Sequence, residues 1–99
     1  MIIPQELKNE YPFTPNYHQV GNEKQHYIDE GQGEVMLMLH GNPTWSFFYR
    51  NVAKHFAKTN RVVVPDHVGC GLSSKPQAYE YTLKNHVQNT IALVEKLGL

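Results

Sequence analysis

The sequence predicts an α/β fold of three layers, with elements in the order β-β-β-α-β-α. Two segments, residues 34–39 and 61–65, are apolar after a charged first residue and are short enough to be buried strands. Residues 45–58 between them show helical spacing. Because neighbouring strands that are joined through a helix need a crossover connection, we expect these two strands to be parallel. A long loop at 66–81 leads to a second helix, so helices should cover the sheet.

The first 33 residues predict a hairpin that is preceded by an extended segment. Residues 17–20 and 24–29 predict two strands, and Gly21-Asn22 between them favours a tight antiparallel turn. Residues 1–16 are rich in proline and aromatic residues, so we expect an extended lead-in that packs on the sheet or its edge. The strand at 34–39 is apolar from Val35 onward, which predicts that both of its faces are covered.

Each predicted helix has start and stop signals and an apolar face. Pro43 precedes the first helix and Thr59-Asn60 closes it. Its predicted buried face consists of Trp45, Phe48, Val52 and Phe56. Thr82 is the predicted N-cap of the second helix and Gly98 its C′ glycine. The apolar stripe of that helix comprises Leu83, Val87, Ile91, Val94 and Leu97.

Length and composition exclude several functional classes. With 99 residues the chain is one domain or part of one. Nine basic and nine acidic residues give no net charge, which argues against nucleic acid or an anionic membrane as partner. No apolar run reaches the ~18 residues of a membrane span. Cys70 is the single cysteine, so no internal disulfide can form and we expect a reducing, cytoplasmic location.

Two motifs together resemble the α/β-hydrolase fold family, and within it the haloalkane-dehalogenase-like branch. They are His-Gly-Asn-Pro-Thr-Trp at 40–45 and Pro-Asp-His-Val-Gly-Cys-Gly-Leu-Ser-Ser-Lys-Pro at 65–76. That branch carries an HGNPT turn after its third strand and a similar glycine loop after its fourth. Trp45 and His67 depart from its commonest spelling, and this variant also resembles the β-lactone decarboxylases of olefin biosynthesis. The resemblance covers residues 10–99 and implies the N-terminal part of one such domain, with an incomplete sheet.

The resemblance implies one catalytic residue and three substrate-binding residues in this chain. Asn42 would donate a hydrogen bond to a developing oxyanion or to a leaving group, since such sites need fixed donors where negative charge develops. Gly41, Pro43 and Trp45 would contact the substrate, although Trp45 could equally be a core aromatic residue. The substrate would be a small apolar electrophile, and neither a cofactor nor a metal is expected.

Other chemically suggestive residues are better interpreted as structural. By the resemblance, His40 is a hydrogen-bonded core residue and Asp66 supports the following loop through backbone hydrogen bonds. Gly69-x-Gly71 lacks the third glycine of a dinucleotide loop. The six histidines show no metal-ligand spacing with one another or with Cys70. Cys70 is expected to be an ordinary thiol.

Part of the expected active site has no counterpart in the sequence. Residues 1–99 contain no G-x-(Ser/Asp/Cys)-x-G elbow for a nucleophile. By the resemblance, the nucleophile, acid and catalytic histidine follow later in a longer protein. We therefore expect an inactive N-terminal fragment whose strand at 34–39 is an unpaired, aggregation-prone edge. The open alternatives are a β-lactone decarboxylase, a serine esterase and a non-catalytic binding protein of the same fold.

Overall fold

A computed structural model describes residues 5–41 and 44–99. Its elements are α1 (Gln5–Lys8), β1 (Asn16–Val20), β2 (Glu23–Glu30), β3 (Val35–Leu37), a 3₁₀ helix (Ser46–Tyr49), α2 (Arg50–Phe56), β4 (Arg61–Pro65) and α3 (Leu83–Leu97). Apart from the short α1, this is the predicted order. Among the described residues, no helix is both long and apolar enough to cross a bilayer.

The four strands form one mixed sheet in the order β1-β2-β4-β3. β1 and β2 make the predicted antiparallel hairpin, in which Val20 pairs with Glu23 across a turn that contains Gly21 at φ 58°. β3 and β4 are parallel neighbours, as predicted from the intervening helix, with Val35 opposite Arg61. β3 therefore lies at the edge of the sheet, next to β4 alone.

The sheet has a core on each face, which gives the predicted three layers. On one face, Ile28 and Val64 pack against Tyr11 and against partly buried aromatic residues of the segment that follows β3. On the other face, Tyr27 and Val63 pack against Leu93 of α3. Val62, Val63 and Val64 are completely buried, so the prediction that β4 is covered on both faces is confirmed.

The prediction that the strand at 34–39 is covered on both faces is wrong. β3 spans only Val35–Leu37, and Val35, Leu37 and Leu39 are 38%, 38% and 44% exposed. The reason is positional, because β3 has one strand neighbour and nothing in the described chain covers its outward-facing side chains. The extended lead-in is also wrong at Gln5–Lys8, which is helical, although Tyr11 packs on the sheet as expected.

Each helix buries only part of its predicted face. Phe48 and Val52 are 67% and 40% exposed, whereas Ser46 and Ala53 are buried. The first turn is 3₁₀, with three residues per turn, so the α-helical spacing assumed from Trp45 onward loses its register there. Small side chains at the buried positions let this segment approach β4 closely.

In α3 the predicted ends are confirmed, but of the predicted apolar stripe only its C-terminal end packs on the sheet, where Leu97 contacts the core. The Thr82 hydroxyl accepts the Asn85 backbone N–H, and Gly98 is left-handed at φ 69°. The stripe residues Leu83, Val87 and Ile91 are 79%, 47% and 51% exposed. The sheet instead contacts a neighbouring line on the helix that includes Asn89 and Leu93.

Candidate active site at the carboxyl ends of the parallel strands

The HGNP turn starts at the carboxyl end of β3, where the carboxyl end of β4 also lies. The Gly41 carbonyl oxygen accepts both the backbone N–H of Thr44 at 3.0 Å and its hydroxyl at 2.7 Å, so Thr44 lies directly against Gly41. The two central residues, Asn42 and Pro43, lie outside the described residues, so the structure does not test their predicted roles. A methyl group built on Gly41 meets nothing within 4 Å, which leaves open space beside the turn.

Hydrogen bonds at both ring nitrogens fix the orientation of the His40 side chain. Its Nδ1–H donates to the Gly41 carbonyl at 2.7 Å, and its Nε2 accepts the His67 backbone N–H at 3.0 Å. This pattern assigns a neutral ring with the proton on Nδ1. Because His40 is buried and both nitrogens are used, it cannot act as a general base here, and the structural interpretation is confirmed.

Asp66 is the hub that joins the segments behind the turn. Its fully buried carboxylate accepts the backbone N–H of Ser46 at 2.6 Å and that of Leu72 at 3.1 Å, and it bonds His26 Nδ1 at 2.9 Å. The Ser73 hydroxyl donates to the Asp66 carbonyl and accepts the His26 backbone N–H. The predicted loop-supporting role of Asp66 is confirmed, and this carboxylate is not available for attack on a substrate.

The glycine loop is shaped around that carboxylate. Gly71 has φ 53°, and a Cβ there would lie 2.6 Å from the Asp66 carboxyl carbon and 2.7 Å from Trp45. Gly69 has φ 94°, and a Cβ there would collide with the Tyr81 ring. Both glycines are therefore required by left-handed backbone and by close approach. This packing accounts for the pair without a nucleotide.

Trp45 belongs to an aromatic cluster on the face opposite α3. Its ring stacks on Phe47 with centroids 5.4 Å apart and lies 5.3 Å from Tyr11. The Tyr11 hydroxyl in turn bonds the buried Ser46 hydroxyl. The structure thus places Trp45 against the core that includes Ile28 and Val64. A substrate contact for Trp45 stays a prediction.

An apolar groove of about 420 Å³ lies between the strand ends and α3. Its size and mostly apolar lining are those of a small-molecule pocket. The exposed stripe of α3 forms one wall, and Gly41 lies at the other. The lining residues are Leu39, His40, Gly41, His67, Cys70, Leu83, His86, Val87, Thr90 and Ile91.

Three titratable groups in the groove have shifted pKa values because burial disfavours their charged forms. Desolvation lowers the pKa of His67 to about 4, with further lowering from His40 and His86. The pKa of His86 is lowered by burial and by His40. Burial, and then the Asp66 charge, raise the pKa of the Cys70 thiol. Cys70 is therefore a protonated thiol at neutral pH, as expected of a residue that is not a nucleophile.

Three histidines that organise this region were not predicted from the sequence. His26 is the ring partner of Asp66, and His67 and His86 line the groove beside His40. The only indication in the sequence was that His67 differs from the residue most common at that position of the glycine-loop motif. His26 and His86 lie far from the motifs in sequence, so only the folded chain brings them there. Within the described ranges, no three His, Cys, Asp or Glu side chains form a possible metal site.

Comparison with known proteins identifies the protein family. Residues 34–99 match the family described as alpha/beta hydrolase fold, and the chain belongs to this family. The matched region runs from β3 to the end of α3, so it contains the HGNP turn, the glycine loop and the groove.

Three similar proteins show which members of the family this chain resembles. The chain is 48% identical over 90 residues to a cis-3-alkyl-4-alkyloxetan-2-one decarboxylase of Shewanella oneidensis, covering 89% of this chain and 28% of that protein. It is 39% identical over 89 residues to haloalkane dehalogenase 2 of Mycobacterium bovis, covering 90% and 31%. The crystal structure of an ancestral haloalkane dehalogenase superposes with a TM-score of 0.76 at 34% identity, covering 84% and 29%. The chain thus spans less than a third of each relative.

Proposed function

We propose that this chain supplies the oxyanion-hole half of an α/β-hydrolase active site in a longer enzyme. Donors at the Gly41-Asn42-Pro43 turn would stabilise the negative charge that develops on a substrate oxygen or leaving group. The nucleophile, acid and catalytic histidine would come from residues that these 99 do not include. The chain alone would then be inactive, because it has no activated nucleophile.

The observation that carries this proposal is the position of Gly41. It follows the carboxyl end of β3, beside the end of its parallel neighbour β4, and it borders the apolar groove. In open α/β sheets, ligands bind outside the carboxyl ends of the strands. His40 and Asp66 support this region but use their side chains within the fold, so they leave the chemistry to other groups.

The reaction would use a carboxylate or a serine as nucleophile. With a carboxylate, one oxygen attacks an electrophilic carbon, the bond to the leaving group breaks, and an ester to the enzyme forms. A histidine-activated water then attacks the ester carbonyl, and the alcohol and the carboxylate separate. Asn42 would act in the first step by donating to the departing group. The apolar lining of the groove favours a small apolar electrophile.

Mutation of Asn42 tests the oxyanion role in the full-length protein. Asn42→Ala removes the side-chain donor and is expected to lower kcat by on the order of a hundredfold, with a smaller effect on KM. Asn51→Ala is the matched control, because Asn51 is an exposed amide on the neighbouring helix α2. Equal activity in the two variants would refute the role of Asn42.

The substrate class is the second part of the proposal, and the two groups of relatives give its candidates. The higher identity, 48%, is to the oxetanone decarboxylase, so a β-lactone is the first substrate to assay. A haloalkane of similar size is the second, from the 39% relative. Enzyme-dependent consumption of the lactone would support the first, and halide release the second.

The nucleophile can be identified from the coding sequence beyond Leu99. An Asp or Ser between glycines would support the enzyme, with Ser favouring an esterase. If neither Asp nor Ser occurs between glycines at such a turn, the non-catalytic binding protein would be favoured.

A further inference from the structure

Ser46, which lies shortly after the HGNP turn, is held from two sides. Its backbone N–H donates to Asp66 Oδ1 at 2.6 Å, and its hydroxyl bonds the Tyr11 hydroxyl. Ser46 is completely buried and begins the 3₁₀ helix. Before it in the chain, Thr44 bonds the Gly41 carbonyl oxygen through its N–H and its hydroxyl. The path of the chain through the turn therefore depends on where Ser46 is held.

His26 fixes the carboxylate that receives the Ser46 N–H. The ring Nδ1–H of His26 donates to Asp66 Oδ2 at 2.9 Å, and the Leu72 N–H donates to the same oxygen at 3.1 Å. Both side chains of the His26–Asp66 pair are completely buried, so solvent does not compete for this bond. The terminal torsion of an aspartate has broad minima, so its carboxylate turns easily unless it is held. A charge-assisted bond at Oδ2 therefore also fixes the direction of Oδ1.

The backbone around His26 places its ring against the carboxylate. The His26 carbonyl oxygen accepts the Asp66 N–H at 2.8 Å. The Ser73 hydroxyl accepts the His26 N–H at 2.8 Å and donates to the Asp66 carbonyl oxygen at 2.7 Å. Because the main chains of the two residues are joined directly and through Ser73, the imidazole and the carboxylate have a fixed separation.

The second ring nitrogen of His26 does not explain a histidine at this position. Its Nε2 is buried and has no hydrogen-bond partner in the described ranges 5–41 and 44–99. A buried polar atom without a partner is unfavourable, so an apolar side chain of similar size would pack with less cost. What the imidazole adds to this site is its bond to Asp66.

We propose that His26 is a positioning residue for the oxyanion-hole turn. It orients the Asp66 carboxylate, which holds Ser46 and thereby sets where the turn directs its hydrogen-bond donors. This inference rests on the proposed function, because it assumes that donors at the turn act on the substrate. Such donors must lie within hydrogen-bond distance of the developing charge, and a displacement of about 1 Å lowers the rate by on the order of a hundredfold.

Steady-state kinetics of the full-length protein test this role, with the β-lactone as substrate, or the haloalkane if that is the compound consumed. His26→Leu removes the donor to Asp66 and should lower kcat by on the order of tenfold or more, with KM changed by less than about twofold. His26→Asn should recover most of the lost kcat, because Asn has the branching of Leu but can place its amide nitrogen near the position of Nδ1. An undiminished kcat in His26→Leu, or an equal loss in both variants, would overturn the proposal.

His18→Leu is the matched control for the loss of a buried histidine. His18 is also buried, and its Nε2 bonds the Gln25 side chain at 2.7 Å, but it lies beside Tyr27 in the core on the α3 face. Both Leu variants should unfold at a lower temperature, but well below both midpoints His18→Leu should change kcat by less than about twofold. An equal fall in kcat in the two variants would indicate general destabilisation and would overturn the positioning role. If His26→Leu does not fold, His26→Gln replaces it with the same expectation, because its amide nitrogen lies one bond further from the backbone than Nδ1.

A double-mutant cycle with Asn42→Ala shows whether His26 acts through the turn. If it does, His26→Leu should lower kcat by less than about threefold in the Asn42→Ala background, because the donor that it helps to position is absent there. The same factor in both backgrounds would overturn the inference. An unchanged kcat in Asn42→Ala alone would refute the proposed function and this inference with it. A loss in Asn42→Ala together with full kcat in His26→Leu would refute this inference and leave the proposed function standing.

Discussion

Replacing Asp66 by Asn keeps the shape of the side chain and changes one acceptor oxygen into a donor. The carboxylate accepts the backbone N–H groups of Ser46 and Leu72 on different oxygens, and His26 Nδ1 on the same oxygen as Leu72. An asparagine in either orientation therefore points its NH₂ group at one of the two backbone donors. At least one buried N–H must lose its partner.

The expected loss in the free energy of unfolding follows from the number of buried groups that lose their hydrogen-bond partner. A buried donor without an acceptor costs about 1–3 kcal/mol. When the NH₂ group faces His26, the ring can accept at Nδ1 only by moving its proton to Nε2, which is buried and has no partner among the described residues. Two unsatisfied groups then give a loss of about 2–6 kcal/mol. That is a large fraction of the 5–15 kcal/mol of a typical domain.

Urea unfolding followed by the fluorescence of Trp45 measures this loss, because Trp45 is the only tryptophan and lies beside the Asp66 loop. Asp29→Asn is the matched control. The Asp29 carboxylate pairs with Arg61 at 2.9 and 2.7 Å, but the side chains are 22% and 30% exposed. Such a pair contributes up to about 1 kcal/mol. If both variants lose the same free energy, the assignment of Asp66 as the hub is refuted.

Three further predictions concern the loop, α3 and the edge strand. Gly71→Ala should destabilise the chain by about 1–3 kcal/mol more than Gly21→Ala, because both positions have positive φ but only Gly71 would place a Cβ against Asp66; equal thermal shifts would contradict this. Thr82→Ala should cost about 1 kcal/mol in chemical denaturation through loss of the N-cap, and an unchanged midpoint would argue against the cap. Leu37→Lys should reduce aggregation measured by light scattering, since a charge on an exposed edge strand opposes pairing between molecules; unchanged scattering would count against an aggregation-prone edge.

Local sequence signals predicted most of the elements. The strand at Arg61–Pro65 and the helix between Thr82 and Gly98 occur with the predicted bounds, because an uninterrupted valine run, an N-cap and a C′ glycine are each local signals. The parallel pairing of β3 and β4 followed from chain connectivity. The short helix α1 was missed, since four residues give too little periodicity to detect.

Burial was predicted less well than the elements, because it depends on what each face meets. The exposed stripe on α3 and the exposed side chains of β3 are apolar, and apolar sequence alone predicts burial. In the described chain these surfaces border the groove and the sheet edge. The first helix shows a different cause, since its 3₁₀ start moved Phe48 to the surface.

Some features of the candidate site were likewise predicted from the sequence, and others became evident only in the structure. The motifs at 40–45 and 65–76 identified the turn, the supporting role of Asp66 and the family, since each is a short stretch with its own backbone requirements. His26, His67 and His86 could not be assigned from sequence. His26 lies 40 residues from its partner Asp66, and a lone histidine carries no information about what it will contact.

The order of the elements, the bounds of β4 and α3 and the hydrolase family were determined by sequence alone, because propensity, capping and turn chemistry act over a few residues. The buried faces, the carboxylate hub and the histidines that line the groove were decided by tertiary structure. Each of these depends on distances between residues of different elements, and the sheet order sets those distances.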